Sequence, residues 1–136
     1  MKRQQGFTLI ELIAVILIIA VLSISLTSSI KPSALQQLQA ARDMTINALR
    51  LAQQTAMSQT ASVQFSSSSN TIDISVGGSS IQAAGNKYPK NLPGNVSLSN
   101  HSIAYNRLGH TTATTFVLSL GARSVTVNVS GVGYAY

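Results

Sequence analysis

Cysteine is absent from the 136 residues, which excludes disulfides, thiolate metal sites and a cysteine nucleophile. The absence does not fix a compartment, because an exported protein can do without disulfides. Carboxylates are almost as scarce: Glu11, Asp43 and Asp73 are the three acids of the chain. Its two histidines, His101 and His110, do not match a metal-ligand spacing with carboxylates nearby. Serine is plentiful, yet no Gly-x-Ser-x-Gly elbow occurs. Gly77-Gly78 lacks the Lys-Ser/Thr that would complete a phosphate loop. There is no internal repeat. The expectation is a protein without catalytic residues, metal or cofactor, and not an enzyme.

What is present is unevenly placed. Hydrophobic residues make up 45% of the chain and charged residues 9%, and residues 7–22 hold much of the apolar share. The remainder is rich in Ser, Thr, Asn, Gln and Gly, which suits a modest β-rich domain with a thin core. The formal net charge is +6. Lys2 and Arg3 stand before the apolar run. From Lys31 onward seven basic residues face two acids, so that part carries about +5. A basic surface attracts polyanions such as DNA.

As a helix, residues 7–22 reach about 24 Å, and residues 7–30 about 36 Å, against a hydrocarbon core of about 30 Å. Three readings compete. A cleaved secretory signal peptide fits the basic start and apolar run, but Glu11 interrupts the run and Ser23-Ile24-Ser25 is a poor cleavage site. A plain signal anchor would be oriented by Lys2 and Arg3 through the positive-inside rule. In the third reading the chain is cut between Gly6 and Phe7. A carboxylate in mid-membrane costs about 2.5–3.5 kcal/mol, and Glu11 is the sole ionisable side chain between Arg3 and Lys31. The cut would create an α-amine at Phe7, largely cationic at neutral pH. Four residues separate Phe7 from Glu11, which places both on one face of a helix. The chain's own amine, or that of a neighbouring subunit, would then pair with Glu11.

Gly6-Phe7-Thr8-Leu9-Ile10-Glu11-Leu12-Ile13 resembles the prepilin signature of type IV pilins and type II secretion pseudopilins. The resemblance implies a membrane peptidase that cuts after Gly6 and methylates the new N-terminal Phe7, and a docking role for Glu11 in filament assembly. It implies other pilins or pseudopilins, the prepilin peptidase and an inner-membrane assembly platform as partners. It also implies a single-pass inner-membrane precursor with a cytoplasmic N-terminus and a periplasmic C-terminal domain, later built into a pilus or pseudopilus. Many major pilins carry Gly or Pro within this helix, whereas residues 7–22 have neither. Pro32 is the first breaker, and it predicts a kink or a short break near Lys31.

The chain thus divides into a leader (1–6), an assembly helix (7–30) and an exported domain (31–136). Within the last, Leu38, Ala41, Thr45, Ala48, Leu49, Ala52 and Ala56 recur at helical steps and predict an amphipathic helix over about 33–58. Its Ala-rich stripe calls for a close-lying sheet. Segments 62–65 and 71–76 read as strands joined through residues 66–70. Residues 79–83 read as a further strand and 85–95 as a loop. Residues 103–105 read as a short strand before a turn at Gly109. Segments 114–120 and 124–129 form the clearest hairpin, and residues 131–136 fray or add an edge. A helix followed by strands is α+β. That order agrees with the pilin-like fold, a long N-terminal helix on a small antiparallel β-sheet. Residues 103–109 and the late hairpin resemble small H-type pseudopilins, FimT-like minor pilins and the C-type minor pilin of mannose-sensitive haemagglutinin pili.

The leading reading is a minor pilin or pseudopilin. The alternative is a DNA-binding minor pilin of a DNA-uptake pilus, in which Lys87, Lys90, Arg107 and Arg123, with Tyr88 and Tyr105, form a basic and aromatic face.

Overall fold

A computed structural model describes residues 7–27, 32–83 and 85–136, with side chains throughout except at 24–27, 83 and 86. The leader, Gly6 and the kink expected near Lys31 lie outside the described residues. The chain divides into two units, Met1–Pro32 and Ser33–Tyr136.

The first unit holds helix α1, Leu9–Thr27. Thr8 starts it. The Thr8 carbonyl accepts the amides of Glu11 (3.1 Å) and Leu12 (3.2 Å), and its hydroxyl also accepts from the Glu11 amide (3.3 Å). A threonine oxygen here satisfies amides that have no partner inside the helix.

The second unit opens with α2, Ala34–Ser58. Ser33 precedes it in extended geometry and completes a capping box with Gln36. The Ser33 hydroxyl accepts from the Gln36 amide (3.2 Å), and the Gln36 Oε1 accepts from the Ser33 amide (2.8 Å). All seven stripe residues are buried, together with Ile46. Thr45 is tolerated among them because its hydroxyl donates to the Ala41 carbonyl one turn back, at 2.8 Å.

Ten strands follow: β1 Val63–Ser68, β2 Thr71–Val76, β3 Ser79–Ser80, β4 Gln82–Ala83, β5 Asn86–Lys87, β6 Lys90–Asn91, β7 Ser97–Leu98, β8 His101–Tyr105, β9 Thr114–Leu120 and β10 Arg123–Val129. One sheet has the order β3-β2-β1-β8, with β6 also on β2; a second has the order β10-β9-β7; β4 and β5 pair alone. Every pairing is antiparallel. The fold is therefore α+β as expected, but the single sheet is in fact two sheets and a small ribbon. Helix α2 lies against β1, β2 and β8 of one sheet and β9 and β10 of the other. One core serves both: Phe65 of β1 meets Phe116 of β9 edge to face, with centroids 5.4 Å apart.

Several boundaries differ from expectation. Residues 66–68 continue β1, so the turn into β2 is Ser69-Asn70 alone. Their serines read as a loop, but β1 is paired on both edges, with Ser66 opposite Asp73 and Ser102. The buried Ser67 hydroxyl donates to the Ser99 carbonyl (2.7 Å) and accepts from the His101 amide (3.0 Å). Satisfied polar groups of this kind outweigh weak strand propensity. Residues 79–83 split between β3 and β4, because Ile81 turns its amide to the Ile74 carbonyl and its carbonyl to the Tyr88 amide. The expected loop at 85–95 contains β5 and β6, and β7 was not foreseen. The C-terminus forms an edge rather than fraying: Asn128 and Tyr136 exchange both backbone hydrogen bonds (2.9 and 3.0 Å), and Ala135 is fully buried.

Candidate assembly site and basic residues

The α1 sequence is aliphatic on every side, and its large apolar residues are exposed all round, from Leu9 at 77% to Ile13 at 45%. A helix of this kind is stable only when something else surrounds it. Its one acid, Glu11, lies in the first turn and is exposed. Unpaired amides at a helix N-terminus carry partial positive charge, which favours a carboxylate there. Phe7 and Thr8 precede the helix. Among the described residues no helix is long and apolar enough to cross a membrane. Described side chains of α1 run from Leu9 to Ser23, which corresponds to about 22 Å of helix.

The basic residues do not gather. Lys87 is exposed on β5, and Arg123 is exposed at the start of β10 in the second sheet. Lys90 of β6 is half-buried beside a cleft of about 430 Å³ that Asp43 and Tyr88 also line. By register Lys90 faces Ile72, Ile72 faces Ser67, and Ser67 faces His101. Arg107 lies beyond Tyr105, at the other end of β8. About 13 Å of strand separates the two levels. Nor are the aromatic partners available for base stacking: Tyr88 and Tyr105 are buried, at 7% and 2% exposure. Burial raises the Tyr88 hydroxyl pKa and pushes that of Tyr105 up to about 12. The Tyr105 hydroxyl oxygen is buried and has no hydrogen-bond partner among the described residues.

Of the remaining polar candidates, His101 and Asp73 are engaged within the fold. His101 meets Phe116 edge to face at 5.6 Å. Asp73 accepts from the Ser80 hydroxyl at 2.8 Å. The backbone of His110 is held by Asn106, whose Oδ1 accepts the amides of Leu108 and His110, each at 2.9 Å. Among the described residues no group of three His, Asp or Glu side chains is placed to hold a metal.

Sequence reasoning passed over one cluster at the C-terminal end of α2. The Gln53 Nε2 donates to the carbonyls of Gly109 and Val132, both at 3.1 Å. Gly109 and Gly133 both have positive φ, and a Cβ on Gly133 would collide with the Gly109 carbonyl oxygen. Two loops are thus tied to one helix end. Around that tie Met57 (55%), Leu108 (73%) and Val132 (62%) are exposed. The sequence signal was there, in lone large apolar residues set among turn formers.

Residues 1–27 match the family model described as the prokaryotic N-terminal methylation motif. No curated protein matches the chain. Among solved structures, the type IV minor pilin FimU of Pseudomonas aeruginosa strain PAO1 is similar in two crystal forms. In space group P21 the TM-score is 0.57 at 15% identity, covering 73% of this chain and 86% of that one. In space group P65 the TM-score is 0.55 at 15% identity, covering 73% and 90%. The fold is that of a pilin.

Proposed function

We propose that this chain is a subunit of a type IV pilus or pseudopilus, made as a precursor, cut between Gly6 and Phe7 and methylated at Phe7. The observation that carries this reading is a methylation motif over residues 1–27 that includes a helix whose residues 9–22 are apolar except for Glu11. Residues 7–30 anchor the precursor in the inner membrane, and residues 31–136 lie in the periplasm until the prepilin peptidase and assembly platform have acted. In the filament the same apolar surface is covered by the α1 helices of neighbours. In this reading Glu11 pairs in the filament with the Phe7 amine of a neighbouring subunit, a charge that the cut between Gly6 and Phe7 creates. One such pair per subunit would fix the axial register, because a slip of a single turn leaves a carboxylate uncompensated in an apolar interior.

Mass spectrometry of the mature chain tests the processing step. The expected N-terminus is a methylated Phe7; an intact Met1, or a cut near Ser25, overturns the reading. Glu11→Gln should leave membrane insertion unchanged and lower incorporation into filaments by tenfold or more, on the order of 1.4 kcal/mol per factor of ten. Normal incorporation of that variant removes the role given to Glu11. Recovery of the chain in sheared surface filaments identifies a pilus, and retention in the cell envelope a pseudopilus. The DNA-binding alternative has lost its aromatic component, since both tyrosines are buried.

A further inference from the structure

The C-terminal end of α2 joins two features that nothing in the fold requires. The first is the apolar cap of Met57, Leu108 and Val132 around Gln53. Leu108 is the most exposed large hydrophobic residue of the second unit. The loop that carries it is rigid rather than loose: Asn106 holds two of its amides, and the Thr111 hydroxyl donates to the Ala104 carbonyl at 2.8 Å. The second feature is formed in part by the same loop. It is a cleft of about 550 Å³ between residues 60–62 and 104–112. Tyr105, Arg107 and His110 all line it. The side chains of Arg107 and His110 have no hydrogen-bond or ion-pair partner among the described residues, and the buried Tyr105 hydroxyl also lacks one. Apolar knobs beside a cleft that presents Arg107 and His110 fit a surface that offers aliphatic side chains next to carboxylates.

A second copy of this chain offers a single exposed carboxylate for that surface. Outside the anchor it has two acids, Asp43 and Asp73. Asp73 is half-buried in β2 and engaged by Ser80. That leaves Asp43, on the flank of α2, against seven basic residues from Lys31 onward. Like charge opposes self-docking at a basic site.

We propose that the cap and the adjoining cleft form a heterotypic docking surface for a different subunit of the same filament, one whose contact segment carries carboxylates beside aliphatic side chains. The inference rests on the filament reading above. Ser33 joins the second unit to the anchor, and the cap lies at the opposite end of α2, about 37 Å away along a helix of 25 residues. The apolar cap supplies the area removed from water, and Arg107 with His110 selects the partner.

The absence of cysteine makes the test direct. Single cysteines replacing Leu108, Val132 or, on the outer face of β9, Val117 are introduced into the full-length chain in the cells that make it. Each is labelled with a maleimide-benzophenone and irradiated. The expected result is an adduct from positions 108 and 132, and none from 117, with one protein that has its own Gly-Phe…Glu start and a crosslinked peptide rich in Asp or Glu. Arg107→Glu should lower the adduct yield at least fivefold, and replacing the partner's crosslinked acid with lysine should restore it. Adducts between two copies of this chain overturn the heterotypic assignment, as does a partner peptide without carboxylates. No adduct from a chain that is correctly cut and present in filaments overturns the docking surface alone. A chain that is never cut at Phe7 overturns the filament reading itself.

Discussion

Helices α1 and α2 are both rich in aliphatic residues and use them in opposite ways. In α2 the apolar side chains keep to one stripe, and their partners lie on β1, β2, β8, β9 and β10 of the same chain. In α1 they occupy every side and remain exposed. The contrast shows where each helix finds its stability. The hydrophobic energy of α2 belongs to folding, whereas that of α1 is released against something outside the chain, first lipid and then neighbouring subunits in the reading proposed above. Glu11 makes the same point in polar terms, since in that reading its counter-charge belongs to another molecule.

That contrast predicts a graded set of effects. The largest is on the shared core. Phe65→Ala should cost about 3–5 kcal/mol, since the ring is fully buried and meets Phe116. Denaturant unfolding of the second unit measures it. The matching change on α1, Ile16→Ala, should not move that midpoint, because Ile16 is 56% exposed. A loss of more than about 1 kcal/mol from Ile16→Ala would break the comparison. Next comes the start of α2. Ser33→Ala removes one half of the capping box and should cost about 1 kcal/mol, with Ser33→Asp recovering most of it in the same assay.

The smallest effect at neutral pH is expected at Tyr105. Its hydroxyl has no partner to lose among the described residues, so Tyr105→Phe should change stability by less than about 1 kcal/mol at pH 7. Alkali separates the two proteins. The folded pKa of about 12 lies above the ordinary value of 10.0. The stabilising contribution is therefore complete below pH 10 and lost as the pH rises toward 12. The phenylalanine variant should lose less stability than the parent between pH 10 and 12, though Tyr88, shifted in the same direction, still titrates. A large loss already at pH 7 would show that the hydroxyl is engaged after all.

Much of this could be read along the chain, and the limits have physical causes. The α2 stripe was legible because each buried position recurs with the helical period, and that period is a local property. The β9–β10 hairpin was legible because alternation and a short turn are local too. The capping box was overlooked although Ser33-Ala34-Leu35-Gln36 spells it out. The continuation of β1 through Ser66, Ser67 and Ser68 carried no such signal. Those residues are strand only because β2 and β8 flank them and a distant carbonyl accepts the Ser67 hydroxyl.

The sequence by itself determined the Gly6-Phe7…Glu11 signature, the lone acid in an all-apolar helix, the second helix with its buried face, and the α+β order. Each depends on neighbours within a few residues. Tertiary structure alone decided that the sheet divides in two over one shared core. It buried Tyr88 and Tyr105 and set Lys90 and Arg107 at opposite levels of a strand. It also brought Met57, Leu108 and Val132 together at the end of α2. These outcomes depend on pairings between residues far apart in the chain, and no local period or propensity specifies which distant strand supplies the partner.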